Sequence, residues 1–244
     1  MRDNLVECIL ASWRKACAEP WRTLASGVLA GILIGIGCVT MLVVKADPFI
    51  SNGFSAVLSG ACFSVGLFGV VSTGARLITG DCMMLTYVFD NGHIRSILSS
   101  WMLVLIGNII GSLLMALLVY ASGAPLATAA VKTASMKCVV PYVSSFIRAI
   151  LCNVCVCLAV WSCVLAKTAG DRFLACLMPV TAFVACGFEH CVANMTLIPL
   201  GMAYGADISI GTCVASLLVV TAGNICGGAL FAALVWYVNG ENRR

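Results

Sequence analysis

Glu189 and His190 stand side by side at an interruption in an apolar stretch, between Gly187-Phe188 and Cys191-Val192-Ala193-Asn194-Met195. An imidazole changes protonation near neutral pH and can donate a hydrogen bond or a proton to a passing anion. The carboxylate beside it is expected to turn the other way along the chain and bond backbone N–H groups freed by the interruption. Thr79 occupies a second interruption, Leu77-Ile78-Thr79-Gly80-Asp81, which follows Arg76. Its hydroxyl either faces the same cavity as His190 or bonds its own helix backbone. Asn153 and Asn194 lie in apolar surroundings, where an amide either lines a pore or bridges helices. Lys137 is either a solvated loop charge or a cation that draws anions into a vestibule. Arg76 and Asp81 flank the second interruption and are expected to pair or to cap helix ends. Metal and nucleotide chemistry are not signalled. Cys152-x-x-Cys155-x-Cys157 lies on an apolar segment without a second ligand pair, and there is no H-E-x-x-H and no Walker loop. No metal and no cofactor are therefore expected.

The elements that must hold these groups belong to a membrane protein. Of the 244 residues, 61% are hydrophobic and only 10% are charged, with a mean hydropathy of +1.06. A soluble globule carries about 25% charged residues, so this chain cannot cover a water-facing surface but can cover one facing hydrocarbon. The net charge of +4 is small and sits in connecting segments, which argues for membrane orientation and against nucleic-acid binding. A crossing helix needs about 20 apolar residues. Candidate spans are 24–44, 54–75, 97–121, 143–166, 173–188 and 208–238, the second and fifth continuing past the two interruptions. The reading is an all-α membrane protein of six transmembrane helices with helices two and five broken.

Lys and Arg sort by side. With both termini inside, the inner segments hold Arg2, Arg14, Lys15, Arg22, Arg95, Lys167, Arg172, Arg243 and Arg244, and the outer segments hold Lys45, Lys132 and Lys137. Nine against three predicts cytoplasmic termini in the plasma (inner) membrane. Met1 to Glu19 carries charges without an apolar, cleavable core, so no signal peptide is expected there, and residues 1–23 read as one N-terminal segment. Leu5, Ile9, Trp13 and Ala16 recur at helical spacing and predict an amphipathic cytoplasmic segment lying on the membrane. The membrane domain then runs over 24–238, followed by a short basic cytoplasmic tail, 239–244. Most of the 15 cysteines lie within apolar runs and read as small hydrophobes with no pairing implied.

The chain also repeats itself. Gly107-Asn108-Ile109-Ile110-Gly111 opens the closing block of the third span, and Gly223-Asn224-Ile225-Cys226-Gly227 that of the sixth. The two align without a gap, and a broken span precedes each. Three spans per half gives the halves opposite orientation, an inverted 3+3 repeat, which in transporters places a site at the midplane between interrupted helices. Glycines four apart also let helices approach closely in lipid, and that alone is the alternative reading of the matching blocks.

These residues resemble the formate/nitrite transporter family over nearly the whole chain. Gly187-Phe188-Glu189-His190-Cys191-Val192-Ala193-Asn194-Met195 is similar to its G-[FY]-E-H-[SC]-x-A-N-M signature. Leu77-Ile78-Thr79-Gly80 resembles its L-[FY]-T-[GS] break. Cys152-Asn153-Val154-Cys155-Val156-Cys157-Leu158-Ala159-Val160-Trp161 resembles its C-N-x-x-V-C-L-A-x-W segment. The resemblance implies an aquaporin-like protomer, although N-P-A motifs are absent, and a homopentamer with one pore per protomer. It casts Lys137 as the vestibule lysine. Phe63, Leu67 and Phe183 resemble residues of two hydrophobic constrictions, with Leu77 and Val156 joining the inner one, where Ile78 replaces a frequent aromatic.

An isolated anion does not cross apolar constrictions cheaply; such a group is neutralised instead. The expectation is a channel or transporter for small monovalent weak-acid anions, with formate, nitrite and hydrosulfide as candidates. Lys137 concentrates the anion, His190 and Thr79 bond it, and a proton from His190 or from vestibule water lets it pass as the neutral acid. The competing reading is a membrane enzyme using Glu189 and His190 as an acid–base pair. It needs further polar residues on neighbouring spans, and spans one and three offer almost none beyond Asn108.

Overall fold

The structure, a computed structural model, describes residues 19–85 and 94–240. The amphipathic segment expected around Leu5–Ala16 and residues 241–244 lie outside that range. Among the described residues all regular structure is helical: α1 (Pro20–Ala46), α2 (Asn52–Thr73), α3 (Ile78–Asp81) running into a 3-10 turn at Cys82–Met84, α4 (Ile94–Ala121), α5 (Ala127–Cys138), α6 (Tyr142–Leu165), α7 (Ala169–Ala185), α8 (Cys191–Ala203) and α9 (Ile210–Gly240). Five of these, α1, α2, α4, α6 and α9, are long and apolar enough to cross a bilayer. At 17 and 13 residues, α7 and α8 individually fall short of the roughly 20 that a crossing requires.

Helix starts follow local chemistry. Pro20 opens α1 in the first turn, where its missing N–H costs nothing. Thr168 and Asp171 close a capping box at the start of α7, the Asp171 N–H donating to Thr168 Oγ1 (3.1 Å) and the Thr168 N–H to Asp171 Oδ2 (3.0 Å). Side chains such as Leu117, Leu118, Leu218 and Leu234 are exposed on the outside of α4 and α9, an apolar surface suited to lipid or to another protein. Inside, the glycines of the repeated blocks bring backbones together. A Cβ on Gly107 of α4 would sit 2.5 Å from the Leu24 carbonyl of α1, and one on Gly223 of α9 would sit 2.5 Å from the Phe146 carbonyl of α6. Small residues are therefore required at both crossings.

The interruptions before α3 and α8 have the same backbone. Each opens on a glycine in the left-handed region, Gly74 and Gly187, both at φ 68°. The next N–H turns back onto the preceding helix, Ala75 to the Val70 carbonyl (3.0 Å) and Phe188 to the Phe183 carbonyl (2.9 Å). The following helix restarts after an extended residue, Leu77 (φ −117°, ψ 126°) or His190 (φ −111°, ψ 118°). Backbone groups released in this way need partners where water is excluded. Two asparagines provide them. Asn108 Oδ1 accepts from the Ile78 N–H (3.0 Å) while Nδ2 donates to the Gly27 (2.9 Å) and Arg76 (3.0 Å) carbonyls. Asn224 does the same at the other interruption: Oδ1 accepts from the Cys191 N–H (2.8 Å) and Nδ2 donates to the Ala149 (2.8 Å) and Glu189 (2.9 Å) carbonyls.

Two details differ from the sequence reading. The segment between the third and fourth expected spans contains α5, a short helix packed on α8, too short and too polar to register as a span. And the free backbone groups at the interruption before α8 are met by Asn224 rather than by the Glu189 carboxylate.

Replacing Asn224 with Ala strands two buried backbone groups of the interruption, the Cys191 N–H and the Glu189 carbonyl, each worth about 1–3 kcal/mol when unpaired. The variant is expected to lose at least about 2 kcal/mol of stability, visible as a lowered thermal or SDS denaturation midpoint in detergent; an unchanged midpoint would contradict the clamp.

Candidate functional site

The α8 interruption fixes His190 by its backbone surroundings. His190 is the N-cap of α8, and its Nδ1 accepts the Ala193 N–H at 3.1 Å. An acceptor Nδ1 leaves the proton of the neutral ring on Nε2, which lies 3.2 Å from Thr79 Oγ1. The Nε2–H therefore donates to Thr79, and the threonine hydroxyl hydrogen stays free for a third group. A second ring proton on Nδ1 would displace the Ala193 bond. Leu77, at the matching position of the other interruption, has no side chain able to cap.

Around this pair the walls are apolar. Phe63 of α2 and Phe183 of α7 meet edge to face with centroids 5.9 Å apart, and Phe183 stacks on the His190 ring at 6.0 Å. These three groups line one cavity of about 240 Å³, which is also lined by Lys45, Lys137, Arg148 and Glu189. Leu67, one turn beyond Phe63, and Leu77 line a second cavity of about 250 Å³. Val160 and Val164 of α6 share that second wall. Val156 lies one turn before Val160 and is buried. Both residues of the Thr79–His190 pair are buried; His190 lines the first cavity, whereas Thr79 lines neither and packs beside Ile78, Cys191 and Asn224.

Lys137 ends α5 and reaches Glu189, its Nζ donating to Oε2 at 2.8 Å. Asn194 Nδ2 donates to the same oxygen at 2.7 Å. Side-chain exposure is 16% for Lys137 and 6% for Glu189, so the ammonium keeps an edge on the cavity while the carboxylate is enclosed. Glu189 and His190 therefore serve different partners. Asn153 is placed away from both cavities, its Nδ2 donating to the Asn224 carbonyl at 2.7 Å and so bridging α6 to α9. Ile78 faces α9, beside Cys191, Thr221 and Ile225. Arg76 and Asp81 pair at 2.5 Å on the wall of the second cavity.

The residues missed as structural determinants were Asn108 and Asn224. Their signal is the repeated Gly-Asn pair, but nothing in spacing tells that a side-chain amide will clamp a helix break 30 or more residues away.

Membrane-length apolar helices around two cavities, with a buried Thr79–His190 hydrogen bond in the interior, are the features of a membrane transport protein. Comparison with known proteins agrees. The formate/nitrite transporter family model matches residues 3–238, and the chain belongs to that family. It is 33% identical to formate channel FocA of Haemophilus influenzae, over 88% of this chain and 86% of that one. Among solved structures it resembles an FNT family ion channel (29% identity, TM-score 0.89, covering 98% of this chain and 100% of that one) and a pentameric formate channel with formate bound (27%, 0.82, 91% and 97%). The chain is an integral, all-helical membrane protein of transport and is not an enzyme.

Removing one partner of an enclosed ion pair is costly, about 3–5 kcal/mol. Lys137→Met is expected to destabilise the protein by that order, and Lys137→Met combined with Glu189→Gln to recover most of the loss. Additive losses in a detergent thermal-denaturation cycle would contradict the coupling.

Proposed function

We propose that this chain conducts small monovalent weak-acid anions, with formate, nitrite and hydrosulfide as the substrate class, each crossing with a proton as the neutral acid. The observation that carries the reading is the buried Thr79–His190 hydrogen bond held between two apolar necks. Family membership and the names of the relatives, formate channels among them, support the substrate class.

The path starts at the first cavity. Lys45, Lys137 and Arg148 outnumber Glu189 on its wall and raise the local anion concentration. The first turn of α8 adds its positive end. Beyond that, Phe63 and Phe183 exclude water, and a bare charge would lose its solvation. The free hydroxyl hydrogen of Thr79, polarised by the His190 Nε2–H, meets the anion there. Because Nδ1 is committed to Ala193, the ring fits the role of fixed donor, and the proton that neutralises the anion is drawn from cavity water. Leu67, Leu77 and Val156 form the second neck, through which the neutral acid passes before it ionises again. Asn194 and Glu189 hold Lys137 in place; Asn153 and Ile78 support the wall.

In the membrane, α2 with α3 and α7 with α8 each count as one broken span, giving six spans in an inverted 3+3 repeat with an aquaporin-like protomer. The matched glycine turns and asparagine clamps support it. Residues 24–238 form the membrane channel domain, with both termini in the cytoplasm of a plasma (inner) membrane by the distribution of Lys and Arg. A homopentamer is supported by likeness to the pentameric formate channel.

Thr79→Val removes the hydroxyl at nearly constant volume, and His190→Ala removes its donor. Each is expected to lower formate, nitrite and hydrosulfide flux into proteoliposomes at least about tenfold, since a buried hydrogen bond to a charged group is worth roughly 1.5–3 kcal/mol. Thr79→Ser should retain most flux. Undiminished flux of all three anions in both loss variants between about pH 5 and pH 8, the range in which a histidine ordinarily titrates, removes the role given to this pair.

A further inference from the structure

The two interruptions share a backbone but not a charge pattern. Before α8 the residue ahead of the restart is Glu189, and its partner five residues on is the neutral Asn194. Before α3 the matching residue is Arg76, and its partner five residues on is Asp81. Both line the second cavity, and Arg76 is the one cation on that wall among the described residues. Its guanidinium is only partly satisfied. One Nη1 hydrogen goes to Ser100 Oγ (2.8 Å), and Nη2 bonds Asp81 Oδ2 and the Met84 thioether at 3.6 Å, a weak acceptor. Nε is buried without a partner. With the residue 6% exposed, this fork has an unmet demand for acceptors beside a cavity. The acceptor that suits a guanidinium best is a planar anion with two oxygens on one atom. The Asp81 carboxylate has that shape, and so do formate and nitrite.

We propose that Arg76 is a second anion-docking residue, at the mouth opposite Lys137, and that Asp81 is a resident carboxylate that competes with the permeant anion for it. The inference rests on the transport reading above. With Asp81 on the fork, these two charges cancel and the second cavity carries no net charge on its wall, whereas the first carries three cations against one anion. The second cavity is thereby the weak-binding end, where an ionised substrate is handed to bulk water instead of being retained. A planar anion entering from this side displaces Asp81 from one guanidinium edge; a single-atom anion such as hydrosulfide bridges the fork less well.

The test uses proteoliposomes with the full chain in one orientation and sodium formate presented at either face, with hydrosulfide as the comparison. Asp81→Asn leaves Arg76 uncancelled and is expected to lower the half-saturating formate concentration on the Arg76 face about tenfold at low ionic strength. The hydrosulfide value should shift less, and the opposite face should stay within roughly twofold. Arg76→Gln with Asp81→Asn replaces the ion pair by a neutral one and should raise the formate value on the Arg76 face above wild type. Equal shifts at both faces, or no shift, overturn the proposal. Should Asp81→Asn not fold, the double variant alone decides, and a wild-type value overturns it. Wild-type vesicles that pass none of the three anions would overturn the transport reading itself; conducting vesicles with side-independent values would overturn only this assignment.

Discussion

Where water is excluded a polar group must find its partner within the protein, and this single constraint shapes the scaffold. The helical run breaks before α3 and before α8, and each break releases backbone N–H and carbonyl groups. Asn108 and Asn224 each meet two of those groups and tie them, through a third bond, to a carbonyl of a neighbouring helix, Gly27 of α1 or Ala149 of α6. The glycine crossings of α1 with α4 and of α6 with α9 bring the asparagines close enough to reach. Without these amides, neither Leu77 nor His190 would keep an extended conformation in an apolar interior.

On this common scaffold, chemistry is placed once. The extended residue is Leu77 in one interruption and His190 in the other. The imidazole caps its own helix through Nδ1 and thereby aims Nε2 at Thr79, a residue of the opposite interruption. The two interruptions are thus joined by one hydrogen bond, His190 of one to Thr79 of the other. Phe183 stacks on the imidazole and both members of the pair are buried, and a low-dielectric surrounding strengthens such a polar contact.

Much of this was legible in the residues. Hydropathy located the long helices, because a span that faces lipid has almost no freedom to be polar. Gly74 and Gly187, each followed two residues later by Arg76 or Glu189, marked the interruptions. The family signature around His190 also pointed correctly to a formate/nitrite transporter. What was not legible were contacts between segments distant in sequence. Glu189 was expected to serve backbone N–H groups, yet Lys137, 52 residues away, and Asn194 claim it. Asn153 had two open roles, and its amide donates to the Asn224 carbonyl of α9, 71 residues away. The helix α5 escaped notice because its mean hydropathy is low and its one buried face runs along Ala129, Ala130, Thr133 and Ala134, residues that make no strong apolar stripe.

The central claim is that a charged substrate crosses the dehydrated neck only as its neutral acid. It is tested most directly by recording transmembrane current and lumenal pH together in vesicles driven by a formate gradient. The account predicts one proton moving with each formate, seen as a lumenal pH change with no net current. A sustained current that carries formate charge without any lumenal pH change would contradict it.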